Sequence, residues 1–175
     1  MITQELVKEH FTYEDGNLIR NFNHNNQKSG DIAGWITVAS RDKKYKRISF
    51  LNTHKYVHQI IFLYHHGFIP KYIDHINGNS LDNRIENLRE ATQSLNNANS
   101  KLAKSNTSGI KGVTWRKDTK KWKAQIMKDK KHHSLGSFEN IEDAATAYRI
   151  AAEKLFGAFA RPEKREELNL PSCAT

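Results

Sequence analysis

Asp74 and His75 open a segment, residues 73–99, that holds seven asparagines, one histidine and no lysine in a chain otherwise rich in lysine. A carboxylate and an amide oxygen are hard ligands of the kind magnesium takes, and they leave positions for water and a phosphate oxygen. A neutral imidazole can accept a proton from an attacking water. A bound cation would offset charge developing on the phosphate and on its leaving oxygen. Asp74, His75 and Asn96 could together hydrolyse a phosphodiester, if the backbone brings them together. By spacing alone, an Asp-His pair followed by Asn-Gly turns is more often a plain loop.

The neighbouring pattern supplies elements that could do the positioning. "YI" before Asp74 reads as a strand end, "NGNSLDN" is a run of turn formers, and "RIENLRE" resumes apolar spacing at Ile85 and Leu88. Thr92 is a good N-cap for a short helix that would carry Asn96 and Asn97. Upstream, Asp15-Gly16 marks a hairpin within "FTYEDGNLIRN", and "GWITVAS" and "YKRISFL" read as strands separated by the turn "RDKK". In "KYVHQIIFLYHHGFIP" the residues Val57, Ile60, Ile61 and Tyr64 recur at helical spacing, with Gly67 as a stop and Pro70 beyond it. His58, His65 and His66 lie on or near this helix. His58 reads as a hydrogen-bonded structural histidine, with support of the site as the alternative. His132 and His133 are neighbours in a strand and point to opposite faces, so they do not chelate one metal.

The chain has 175 residues, room for one or two domains with small cores, since hydrophobic content is 37%. No apolar run reaches membrane-span length and the N-terminus lacks a signal-peptide layout, which suggests a soluble, intracellular protein without membrane contact. Cys173 is the only cysteine, which excludes an internal disulfide and a cysteine-built zinc cluster. Net charge is +9, and residues 101–135 carry eleven Lys or Arg against Asp118 and Asp129, so the other 140 residues balance to zero. A charge excess confined to one segment is the footprint of a polyanion such as nucleic acid, the alternative being a basic surface kept for solubility.

Residues 98–110 are polar and rich in Asn, Ser and Lys, and read as a linker between a domain at 1–97 (core 72–99) and another at 111–175. The second part offers three short strands and the helix "NIEDAATAYRIAAEKLF", whose Ala144, Ala145, Tyr148, Ala151, Ala152 and Leu155 share one face. In the middle strand Trp122, Ala124 and Ile126 alternate with Lys121, Lys123, Gln125 and Met127. The same period puts Thr114, Arg116, His132 and Ser134 on the polar face. Such a ribbon could enter a major groove, with Arg and Gln reading base edges and Lys, including Lys111, on phosphates. An ordinary solvated face is the alternative, with Trp115 and Trp122 as core.

The segment "DHINGNSLDNRIENLREATQSLNNAN" resembles the core of HNH endonucleases, especially phage and intron-encoded homing enzymes, over roughly residues 54–99. The resemblance implies a two-strand and helix unit clasping one divalent metal, Mg2+ or Mn2+. His75 would be the general base, Asp74 a metal ligand, and Asn87 the residue that braces the loop and orients the histidine. Asn96 falls where many members carry a histidine ligand, and Asn97 is its neighbouring alternative. "GIKGVTWRK" through "AATAYRIAAEKLFG", with the closing "LNLP", resembles the ethylene-response-factor (Apetala-type) DNA-binding domain. That resemblance implies a sheet in the major groove contacting DNA through positions matching Thr114, Arg116, Gln125, Met127, His132 and Ser134. Several of these are not the arginines and tryptophans of the plant proteins, so base preference does not carry over.

The reading is therefore an α+β protein: an N-terminal sheet with a ββα-metal nuclease core, then a three-stranded antiparallel sheet backed by one helix. It implies a metal-dependent endonuclease acting on double-stranded DNA in the cytoplasm of a bacterial or phage-infected cell. A monomer with one metal site would nick one strand, without an obligatory protein partner, in a homing role. The alternatives are a DNA-binding regulator with a decayed nuclease core, an RNA-binding protein, and a restriction-type enzyme.

Overall fold

The computed structural model describes residues 2–23, 26–39, 43–102 and 105–161. It divides into two units, Met1–Thr92 and Gln93–Thr175. The turn residues Arg41 and Asp42 and the closing "LNLP" lie outside the described residues.

The first unit starts with helix α1 (Gln4–His10), capped by the Thr3 hydroxyl, which accepts from the Leu6 N–H. Glu5 in its first turn and Lys8 and His10 in its last complement the helix dipole. The hairpin β1 (Phe11–Glu14) and β2 (Asn17–Arg20) turns at Asp15 and Gly16, both at positive φ. A Cβ on Gly16 would stand 2.8 Å from the Arg84 nitrogen, so glycine lets this turn abut the loop that follows Asp74 and His75. Strands β3 (Trp35–Val38), β4 (Lys44–Phe50) and β5 (Thr53–Tyr56) form an antiparallel sheet in that order. Helix α2 (Val57–His66) follows directly and ends at Gly67 in the left-handed conformation. Its Val57, Ile60 and Ile61 pack with Val7, Phe11, Leu18 and Ile48 as the core. Strands β6 (Ile73–His75) and β7 (Leu88–Glu90) pair antiparallel on this foundation.

The second unit begins at helix α3 (Gln93–Asn99). Strands β8 (Val113–Arg116), β9 (Lys121–Lys128) and β10 (Lys131–Phe138) form a sheet with β9 in the centre. Helix α4 (Ile141–Phe156) backs it, and Ala144 joins Ile110, Val113 and Ala124 in a small core. Small alanines let the helix lie close to the strands. Gly112 marks the closest approach, because a Cβ there would overlap the Tyr148 ring and the Gln125 carbonyl. A second apolar cluster joins Leu95 and Ala98 of α3 to Ile126, Ala152 and Phe156. This packing draws α3 into the second unit, so the contacts divide the chain after Thr92, whereas the sequence reading puts the boundary at 97.

The architecture is mixed α and β, with several small antiparallel sheets and four α-helices among the described residues. Among them no helix is long and apolar enough to cross a membrane.

Candidate active site and nucleic-acid surface

Pairing of β6 with β7 sets Asp74 opposite Arg89 and His75 opposite Leu88. Asp74 is 5% exposed, and a buried carboxylate must be paired or bind a cation. Arg89 donates to its Oδ2 from Nε at 2.8 Å and from Nη2 at 2.7 Å, which fixes the carboxylate's orientation.

His75 is 8% exposed, and its Nε2 lies 3.1 Å from Oδ1 of Asn83, itself 2% exposed. With the Asn83 oxygen as acceptor, this contact favours the tautomer protonated on Nε2. Burial pushes the ring pKa below the ordinary value, against the opposing pull of the Asn83 bond and the Asp74 and Asp82 charges. Burial therefore favours the neutral imidazole at His75, the state a general base requires. His58 stands perpendicular to it, ring centroids 5.1 Å apart. The sequence reading expects His58 to be hydrogen-bonded, yet its buried Nδ1 has no partner among the described residues.

The asparagines hold the loop between β6 and β7. Asn87 Nδ2 donates to Asn77 Oδ1 and to the Asp82 carbonyl, and its Oδ1 accepts from the Asn77 N–H. The Asn87 carbonyl accepts from the Ile76 N–H. Asn77 Oδ1 and Asn79 Oδ1 accept from the N–H groups of Asn79 and Leu81 in successive tight turns. Arg84 grips both carboxylate oxygens of Asp82, which holds that acid well below its usual pKa. The Tyr13 hydroxyl accepts from the Ile85 N–H and ties the β1–β2 hairpin to this loop. Asn87 thus braces the loop, while the ring of His75 is held through Asn83.

Asn96 and Asn97 lie on α3, in the second unit. Lys111 is committed there: its ammonium donates to the carbonyls of Asn97, Ala98 and Ser100 and so caps the C-terminal end of that helix. The register of the sheet pairs Thr114 with Lys123, Arg116 with Lys121, Gln125 with Ser134, and Met127 with His132. All eight share the face away from Ala124 and Ile126. Arg116 is paired with Asp118 at 3.0 Å in the adjoining turn. Trp115, expected in the core, is 41% exposed because β8 is an edge strand, and it tilts against half-buried Trp122 at 5.0 Å.

Comparison with known proteins gives two family matches. The HNH endonuclease pattern matches residues 55–98, and the AP2 domain pattern matches residues 108–158. This chain belongs to the HNH endonuclease family, with an AP2 domain after the nuclease core. It is 44% identical to Protein 3.8 of Escherichia phage T7 over 97 residues, which cover 54% of this chain and 79% of that protein. It is 34% identical to an uncharacterized HNH endonuclease of Acanthamoeba polyphaga mimivirus over 116 residues, covering 65% of this chain and 58% of that protein. No solved structure matches.

In this HNH–AP2 chain the nuclease match runs into α3, so that helix belongs to the nuclease by sequence and packs within the second unit. Asn83 and Arg89 escaped the sequence reading. Asn83 is one of seven similar residues, and Arg89 declares itself only once β6 and β7 are paired. HNH nucleases are in general divalent-metal dependent. Among the described residues no three His, Cys, Asp or Glu side chains cluster. Of the donors a hard cation takes, the first unit offers the Asp74 carboxylate, whose Oδ2 accepts from Arg89.

Proposed function

We propose that this protein is a metal-dependent DNA endonuclease whose first unit nicks one strand of a duplex held by the AP2 domain. The observation that carries the reading is His75: buried beside Asp74, held by Asn83, and pushed by burial towards the neutral imidazole that can take a proton. In this reading Nδ1 takes a proton from water as the water attacks the phosphorus, and Arg89 keeps the Asp74 carboxylate oriented. Asn87 braces the loop between β6 and β7 through Asn77 and the Asp82 carbonyl. Asp74 would hold magnesium or manganese. That ion would supply positive charge to offset the negative charge that builds on the phosphate as water adds and on the departing oxygen. Thr114, Arg116, Lys121, Lys123, Gln125, Met127, His132 and Ser134 form the proposed DNA face, polar side chains reading base edges and lysines meeting phosphates. A cutter joined to a separate DNA-binding unit suits an enzyme that must find one long site, as a homing endonuclease does.

Incubation of supercoiled plasmid with the full chain and magnesium or manganese tests this. The expected product is nicked circle, abolished by EDTA and restored by excess metal. Cleavage that persists in EDTA, or linear product without a nicked intermediate, would contradict the reading.

A further inference from the structure

Two side-chain nitrogens of the first unit are buried with no hydrogen-bond partner among the described residues, Nε of Arg47 and Nδ1 of His58. They lie in one row. Arg47, on β4, is opposite Tyr56 in the register, with its guanidinium carbon 5.6 Å from the Tyr56 ring centre. His58 stacks on Tyr56 at 5.4 Å with the ring planes 8° apart. Tyr45 closes the group, 5.2 Å from Tyr56 and 5.9 Å from His58. The row ends at His75 through the perpendicular His58 contact.

Packing alone does not account for these residue types. A phenyl ring would fill the His58 site without leaving a polar atom unpaired, and unpaired buried donors carry a desolvation penalty that is largest for charged groups. Burial and the neighbouring His75 push the His58 pKa down to about 3, so the ring is neutral and can carry its proton on either nitrogen. A planar guanidinium stacked on an aromatic ring is the arrangement best suited to gripping a phosphate through two N–H groups. Local charge points the same way: residues 43–58 hold five Lys or Arg and no Asp or Glu.

We propose that Arg47, lying over the Tyr56 ring, is a phosphate seat of the nuclease unit that takes a backbone phosphate of the DNA strand presented to His75. DNA as the source of that phosphate rests on the nuclease reading above. The long Arg47 side chain can turn its donors onto one phosphate. The seat would align the strand before chemistry, and it is separate from the sheet of the AP2 domain.

The test uses the full chain, random-sequence duplex for binding over a salt series, and supercoiled plasmid for nicking at saturating protein. Arg47→Met keeps the apolar stem and removes the charge. It is expected to lower the slope of log affinity against log salt by about one unit and to slow nicking about tenfold or more. Arg47→Lys is expected to keep the slope. His58→Phe, which conserves shape, is expected to melt no lower than wild type and to slow nicking without changing the slope. Arg47→Met matching wild type in both slope and rate would overturn the proposal, as would Arg47→Lys losing as much slope as Arg47→Met. If wild type fails to nick but Arg47→Met still loses slope, the seat stands and the nuclease reading falls.

Discussion

His75 can act as a base only if one nitrogen is reliably free of its proton, and Asn83 is the residue that decides which. Asn83→Ala removes the acceptor that holds the proton on Nε2. Cutting is expected to fall by about one to two orders of magnitude, within the range a positioned base contributes, while DNA affinity stays within twofold. Single-turnover rates and a binding titration separate the two effects. His58 brings a pH dependence of its own. Its folded pKa of about 3 lies below the ordinary 6.5 of an unfolded chain. Between those values the unfolded state binds more protons, so stability is lost as pH falls from 6.5 towards 3 and is unaffected by this group above 6.5. The slope is at most about 1.4 kcal/mol per pH unit. Denaturant melts of His58→Phe against wild type should show a shallower loss below pH 6.5, with His75 supplying the remainder in the same direction. Asp74, His75 and Asn87 stand out in the sequence as candidates because they sit in a dense, specific motif. Arg47, His58 and Asn83 acquire meaning only from partners they have, or lack, in three dimensions.

At the scale of elements, the strands around Asp15-Gly16, helix α2 with its glycine stop, and the alanine-faced α4 could be read from turn chemistry and period. Helix α1 and the short strand β5 could not: the first has only Leu6 and Val7 as apolar contacts, and the second runs straight into α2 without punctuation. Helix α3 was placed correctly in sequence, but its packing partners were hidden because Leu95 and Ala98 meet residues far along the chain. Lys111 joins that anchorage. Lys111→Met leaves three helix-end carbonyls without their cation and is expected to destabilise the second unit by about 1–3 kcal/mol, read as a lower melting temperature. Gly112→Ala combines positive φ with overlap of Tyr148 and the Gln125 carbonyl, and should cost about 2–4 kcal/mol. A melting temperature unchanged by either substitution would refute the packing described for it.

For the whole molecule, the charge excess of residues 101–135 is carried in part by the sheet face that also holds Gln125 and Thr114. If that face lies on DNA, Lys123→Gln should weaken binding to all sequences alike and reduce the salt slope by about one, whereas Gln125→Ala should change preference among sequences more than the slope. The HNH core and the AP2 domain are both shown by family; that the first cuts what the second holds is the claim on which the account depends. The most direct test compares wild type with His75→Ala on supercoiled plasmid with magnesium or manganese, with duplex binding measured in parallel. Wild type is expected to nick, and the variant to bind equally well but to cut at least about a hundredfold more slowly. Equal cutting by both would remove His75 from the mechanism. Equal binding with no cutting by either, under any metal, would leave a DNA-binding protein that keeps the architecture of a nuclease without its chemistry.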